Sequence, residues 1–147
     1  MIKEKRLQSD VLQKVPKLIE ELRACEDVVA LFFFGGLAQG KLKPLSDLDF
    51  AVLLRLNFDR EKMLDRQLDL MGIIARELAT DEFDLIILNT APLRFAYHIL
   101  KSGKAVFVKD RRQLGDFREH VVKRYLDFRH YRQEFDRSFL RGLGLHG

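Results

Sequence analysis

The chain has 147 residues, a usual length for one domain. With 47% hydrophobic and 33% charged residues it has material for a core and too little bias for disorder. Its 26 basic residues outnumber 22 acidic ones, a net +4 that raises the prospect of an anionic partner without establishing one, and the single cysteine, Cys25, excludes an intrachain disulfide and a zinc site needing two thiolates.

Leu7, Val11, Val15, Leu18 and Leu22 fall at helical spacing, so an amphipathic helix is predicted over 3–25. Pro16 is expected to break or restart it, because proline suits a first turn and not an interior. Val28 to Phe34 is an unbroken apolar run ending at Gly35-Gly36, which reads as a buried strand. A polar loop punctuated by Gly and Pro follows to Ser46, and Leu48 to Leu54 is a second apolar strand. Asp59 reads as a helix N-cap with Phe58 stapled onto Met63. Leu64, Leu68, Met71, Ala75 and Leu78 then form the apolar stripe of a helix running to about Ala79.

Phe83 to Leu88 is a third strand. Thr90 is expected to cap a shorter helix over 92–102, with Gly103 as its stop. Ala105 to Val108 is a short fourth strand, and a long helix is expected over about 113–141. Strands and helices interleave, so the fold class is α/β or α+β with one small mixed sheet and flanking helices, a single domain over 1–147 with its core at about 28–108. Neither a signal-peptide core nor a ~20-residue apolar span is present, which points to a cytoplasmic protein with no membrane partner.

Three aspartates carry the chemistry. Asp47 and Asp49 flank Leu48 at the start of a strand, where side chains two apart share a face with Cα atoms about 6.5–7 Å apart. Two carboxylates so placed repel unless they share a cation or meet another positive partner. Asp84 lies in the apolar strand Phe83-Asp84-Leu85-Ile86-Ile87, where a charge is costly unless paired or metal-bound. Oxygen ligands alone favour Mg²⁺ or Mn²⁺ over zinc. Taken singly, each has a plainer reading. Asp47 could cap a turn after Ser46, and Asp49 and Asp84 could pair with a lysine or arginine.

The string Phe34-Gly35-Gly36-Leu37-Ala38-Gln39-Gly40, followed by Ser46-Asp47-Leu48-Asp49-Phe50, resembles the signature of the polymerase-β-type nucleotidyltransferases: Gly-Ser, about ten residues, then Asp-x-Asp. Ten residues, Leu37 to Ser46, lie between Gly36 and Asp47. The later run Phe83 to Asn89, Pro92, and Gly103-Lys104-Ala105-Val106-Phe107 is similar to the minimal nucleotidyltransferases (MNT), the antitoxin halves of HEPN/MNT toxin–antitoxin pairs. The resemblance implies a nucleotidyltransferase fold and a catalytic, metal-binding triad of Asp47, Asp49 and Asp84 acting on ATP with Mg²⁺ or Mn²⁺. It implies nucleotide contacts from Gly35, Gly36, Gln39, Lys41 and Ser46. For function it implies a type VII-like antitoxin that transfers AMP to a tyrosine of a cognate HEPN ribonuclease toxin.

Two positions depart from the family pattern. Gly36 stands where Ser is usual, removing a hydroxyl ligand for the phosphates, and Gln39 stands where a basic residue is common. Lys41 and Lys43 in the same loop could compensate, or be ordinary solvated lysines. A hydrogen bond to a charged group is worth roughly 1.5–3 kcal/mol, so weaker triphosphate binding is the expected penalty. A catalytically weak module that neutralises its partner by binding is therefore the first alternative. A small-molecule nucleotidyltransferase is the second, though such enzymes usually carry a further helical acceptor domain.

The last helix bears an aromatic stripe of Phe117, Val121, Tyr125, Phe128, Phe135 and Phe139 among arginines. Packing on the body or on a partner helix is favoured over nucleic-acid binding. About 25 residues would extend ~38 Å, more than a small body covers, so part of the stripe is expected to serve a homo- or hetero-oligomer. His98, His120 and His130 have no acid or nucleophile fixed beside them by spacing and read as surface or partly packed groups.

Overall fold

The structure, a computed structural model, describes residues 2–35, 48–55 and 59–142, with the side chains of 2–10, 135, 139, 140 and 142 outside that description. Eight elements follow in order: α1 (Ile2–Ala24), β1 (Val28–Phe34), β2 (Leu48–Leu54), α2 (Arg60–Leu78), β3 (Phe83–Ile87), α3 (Leu93–Ser102), β4 (Lys104–Val108) and α4 (Arg111–Gly142). Both long apolar runs are strands, as their composition predicts, and they pair antiparallel at the centre of a sheet ordered β3-β2-β1-β4. β3 joins β2 in parallel, as a strand–helix–strand connection permits, and β4 joins β1 antiparallel.

Each face of the sheet has its own core, and strand alternation assigns residues to one or the other. Leu48, Phe50, Val52 and Leu54 of β2 pack with Val11, Val15, Leu18 and Leu22 of α1 and with Met63, Leu70, Ile74 and Leu78 of α2. Ala51 and Leu53 turn the opposite way, toward Ala96, Ile99 and Leu100 of α3 and Leu114 and Val121 of α4. The central strands read as apolar runs, broken only by Asp49 near the start of β2, because both their faces are covered.

Four expectations change. Pro16 lies inside an unbroken α1. It sits on the exposed face, where the Leu12 carbonyl deprived of its partner can turn to water, while Val15 and Leu18 stay anchored in the core. The buried stripe of α2 is Met63, Leu70, Ile74 and Leu78; Leu64 and Leu68 are exposed. The helix is apolar on two adjacent faces, and packing against α1 and the sheet selects one of them. Thr90 does not cap α3: its N–H donates to the Ile87 carbonyl in a turn, and Pro92 is the N-cap, without a side-chain hydrogen bond. α4 begins two residues early because Asp110 caps it, its carboxylate accepting from the Gln113 N–H at 3.0 Å. The expected Asp59 cap of α2 is present, accepting from the Lys62 N–H at 2.9 Å, whereas Phe58 lies outside the described residues.

Candidate active site

Asp49 and Asp84 are brought together by register. The parallel pairing of β2 with β3 makes them direct partners, and the antiparallel pairing of β1 with β2 sets Phe34 opposite Asp49. Neighbouring strands run about 4.8 Å apart. Leu48 and Phe50 point into the α1/α2 core, as do Phe83 and Leu85. Asp49 and Asp84, each between such a pair, therefore share the opposite face, at one level and at one end of the sheet. Like charges placed directly across two strands are destabilising, so this arrangement asks for a cation.

Gly35 closes the site from β1. Its φ is +62°, in the left-handed region that disfavours a side chain, and a Cβ built there would run into the Oδ2 of Asp49. The glycine turn is thus pressed against the Asp49 carboxylate, and two independent constraints require glycine there. Gly103 plays a parallel part at the end of α3. Its N–H donates to the Ile99 carbonyl at 2.7 Å, and a Cβ would meet the Ile99 and Phe33 backbone oxygens at 2.5 and 3.2 Å. The end of α3 is held tightly against the end of β1 by the absence of one methyl group.

Behind the aspartates, on the other face, runs an aromatic row with no counterpart in the sequence expectations. Phe33 meets Phe50 edge to face at 5.7 Å, and Phe50 meets Phe83 at 6.4 Å. Each ring belongs to a residue adjacent to Phe34, Asp49 or Asp84, and so takes the opposite face of the same strand. The row ties three strands together beneath the carboxylates, with edge-to-face pairs worth about 0.5–1.5 kcal/mol beyond burial. The signal was present in Asp49-Phe50 and Phe83-Asp84, where an aromatic accompanies each acid.

The burial expected of Asp84 is corrected: Asp84 is exposed and Asp49 half-buried. β3 is an edge strand and Asp84 its second residue, so water reaches the carboxylate and the desolvation cost inferred from its apolar neighbours does not arise. The outer edge of β3 is guarded instead at Leu85, whose carbonyl accepts from Nε2 of Gln67 at 2.9 Å. Asp47, Gly36, Gln39, Lys41, Lys43 and Ser46 lie outside the described residues. Among the described residues no group of three metal-ligating side chains forms. Asp49 and Asp84 supply hard oxygen donors from one face, a donor set that suits Mg²⁺ and does not suit a soft metal.

The opposite end of the sheet is locked by polar groups that the sequence did not advertise. The amide of Asn89 mimics a strand partner, accepting from the Leu54 N–H at 2.8 Å and donating to its carbonyl at 2.9 Å. Arg66 of α2 grips Asp27 with two hydrogen bonds of 2.5 and 2.7 Å, and this bond to Asp27 raises the guanidinium pKa above its ordinary value. Lys109 donates to the carbonyls of Arg23 and Cys25 at 2.9 and 2.6 Å, and burial lowers its pKa. These groups brace β1, β2 and α2 far from the aspartates. His98, His120 and His130 are exposed, His130 standing 3.1 Å from Glu134.

The fold is similar to chains of several solved structures. One is a crystal structure of a toxin–antitoxin with AMP-PNP, with TM-score 0.65 and 21% identity over 87% of this chain and 97% of that one. A second, of the toxin–antitoxin MntA-HepT, has TM-score 0.60 and 20% identity over 90% and 98%. A third contains a tri-AMPylated Shewanella oneidensis HEPN toxin in complex with an MNT antitoxin, with TM-score 0.60 and 19% identity over 91% and 98%. At these identities the likeness is one of fold. No curated protein sequence matches. The family model described as "Polymerase beta, Nucleotidyltransferase" matches residues 16–112, which take in the glycine turn, all three aspartates and all four strands of the sheet, and the chain therefore belongs to the polymerase-β nucleotidyltransferase family.

Proposed function

We propose that this chain is an MNT antitoxin that transfers AMP from ATP to a tyrosine hydroxyl of a cognate HEPN ribonuclease toxin. The observation that carries the reading is the side-by-side placement of Asp49 and Asp84 with Gly35 pressed on the first of them. The solved structures with similar folds add weight, since they include a toxin–antitoxin with AMP-PNP and a tri-AMPylated HEPN toxin with its MNT antitoxin.

Asp49 and Asp84, joined by Asp47, would hold divalent cations. Bound there, Mg²⁺ supplies charge neutralisation on the triphosphate and lowers the pKa of the attacking hydroxyl. The chain's own groups divide the remaining work. Gly35, lacking a side chain, lets the phosphates approach the backbone beside Asp49, with Gly36, Gln39, Lys41 and Ser46 as further contacts. Exposure of Asp84 on the edge strand lets a protein-borne hydroxyl reach its carboxylate, which takes the proton as the new O–P bond forms. The bond from the α-phosphorus to the bridging oxygen breaks, and pyrophosphate leaves with the electron pair. Intact-mass spectrometry of the co-expressed toxin tests the reading: AMP adducts are expected with the native chain and absent with Asp49→Asn or Asp84→Asn. A toxin that is neutralised but carries no adduct would overturn the enzymatic reading.

Gly36 and Gln39 favour a second reading, neutralisation by binding alone. It predicts that Asp47→Asn/Asp49→Asn still neutralises the toxin. Loss of neutralisation with the complex intact counts against it.

A further inference from the structure

The charge of this protein is not spread over it. α4, from Arg111 to Gly142, holds nine of the 26 basic and five of the 22 acidic residues, which leaves 17 of each in the rest of the chain. The whole net charge of +4 thus belongs to one helix. That helix is 32 residues long, about 48 Å, and only its first half has a body to lie on. Leu114 and Val121 are buried, and Phe117 and Tyr125 half-buried. Tyr125 stacks on Tyr97 of α3 with ring centres 3.9 Å apart. Beyond it every described side chain is exposed, including Leu126, Phe128 and Tyr131 at 50, 57 and 70%.

The face that is buried at Leu114 and Val121 continues to Phe128, since steps of three, four and seven residues hold one helical face. Where α4 departs from α3 it leaves a cleft of about 560 Å³. Leu93, Tyr125 and Phe128 give it an apolar lining, and Arg94, Arg129 and Arg132 outnumber its one acid, Asp136. This combination selects among occupants. A second copy of α4 would bring +4 against +4, so self-pairing is opposed by charge. Nucleic acid would take the arginines and stack on Phe128 and Tyr131, but it would leave the aliphatic Leu93 and Leu126 uncovered. An amphipathic helix with apolar residues at i, i+3, i+4 and i+7 and acidic residues beside them satisfies both the lining and the rim.

We propose that the cleft between α3 and the free half of α4 docks an acidic amphipathic helix of a partner protein. The site is separate from the aspartates, and its occupancy does not depend on nucleotidyl transfer. A fluorescein-labelled helical peptide of leucine–glutamate heptads, titrated into the full chain by fluorescence anisotropy, tests this. Saturable binding is expected. Arg94→Glu/Arg132→Glu and, separately, Phe128→Asp should each weaken it at least tenfold, while circular dichroism shows the helices intact. The same peptide with lysine for glutamate should not bind. Equal binding of the two peptides, or unchanged affinity in both variants, would overturn the proposal. So would a labelled single-stranded oligonucleotide that binds in the peptide's stead and is lost with the same variants. Sedimentation showing a dimer of the chain abolished by Phe128→Asp would overturn it too.

Discussion

At the scale of single residues, the geometry is decided by what is missing as much as by what is present. Gly35 and Gly103 let β1 end between Asp49 and the last turn of α3, and neither position has room for a methyl group. The two should respond differently to alanine. At Gly35 the obstacle is a carboxylate that can swing away, together with a left-handed φ costing about 1–2 kcal/mol. Gly35→Ala should therefore fold, melt a few degrees lower and lose at least tenfold in AMP transfer, because Asp49 is the group displaced. At Gly103 the obstacles are two backbone oxygens, so Gly103→Ala should cost about 1–3 kcal/mol in urea-unfolding free energy. The Arg66–Asp27 pair gives a third case. Both side chains are about a quarter exposed, which places it between a surface pair and a buried one. Arg66→Ala should destabilise by roughly 1–2 kcal/mol, and Arg66→Lys should recover only part of that because the two-pronged contact is lost.

At the scale of elements, the sequence was most legible where composition leaves one choice. Val28–Phe34 and Leu48–Leu54 are strands with the bounds their apolar runs suggest, because a central strand covered on both faces is apolar along its length, save where Asp49 meets the open end of the sheet. It was least legible where two choices have the same composition. Leu64 and Leu68 continue an apolar stripe as well as Met63 and Leu70 do, and only the position of α1 decides between them. The exposure of Asp84 depends on β3 being at the edge, which is a property of strand order and not of the strand. Pro16 shows the same limit, since helix breaking depends on whether the freed carbonyl meets water or core. The cost of proline in a helix interior, ~3 kcal/mol in a host peptide, is still being borne by α1. Pro16→Ala should therefore raise the melting temperature, with a gain of about 1–2 kcal/mol once the greater freedom of the unfolded chain is counted. A fall in the melting temperature would show that α1 is kinked there to fit α2.

At the scale of the molecule, the two ends of the chain's chemistry are physically apart. The aspartates stand at one end of a braced sheet, while the charge and the exposed aromatics are gathered on a helix that leaves the body after Tyr125. Among the described residues no helix is long and apolar enough to cross a membrane, so the exposed aromatics of α4 are not part of a spanning segment. The free half of α4 adds nothing that the sheet needs. Its described side chains are exposed and do not belong to either core. A short isolated helix is marginal in water, which makes this half dependent on whatever it meets. Ending the chain after Asp127 should therefore leave the stability of the body nearly unchanged, within about 0.5 kcal/mol as for substitutions away from the core. ATP binding measured by calorimetry should also be retained. The helical signal in circular dichroism should fall by less than the deleted length implies, because the free half frays in the absence of a partner. A cooperative loss of the whole fold on this truncation would show instead that the two cores and the free helix form one unit.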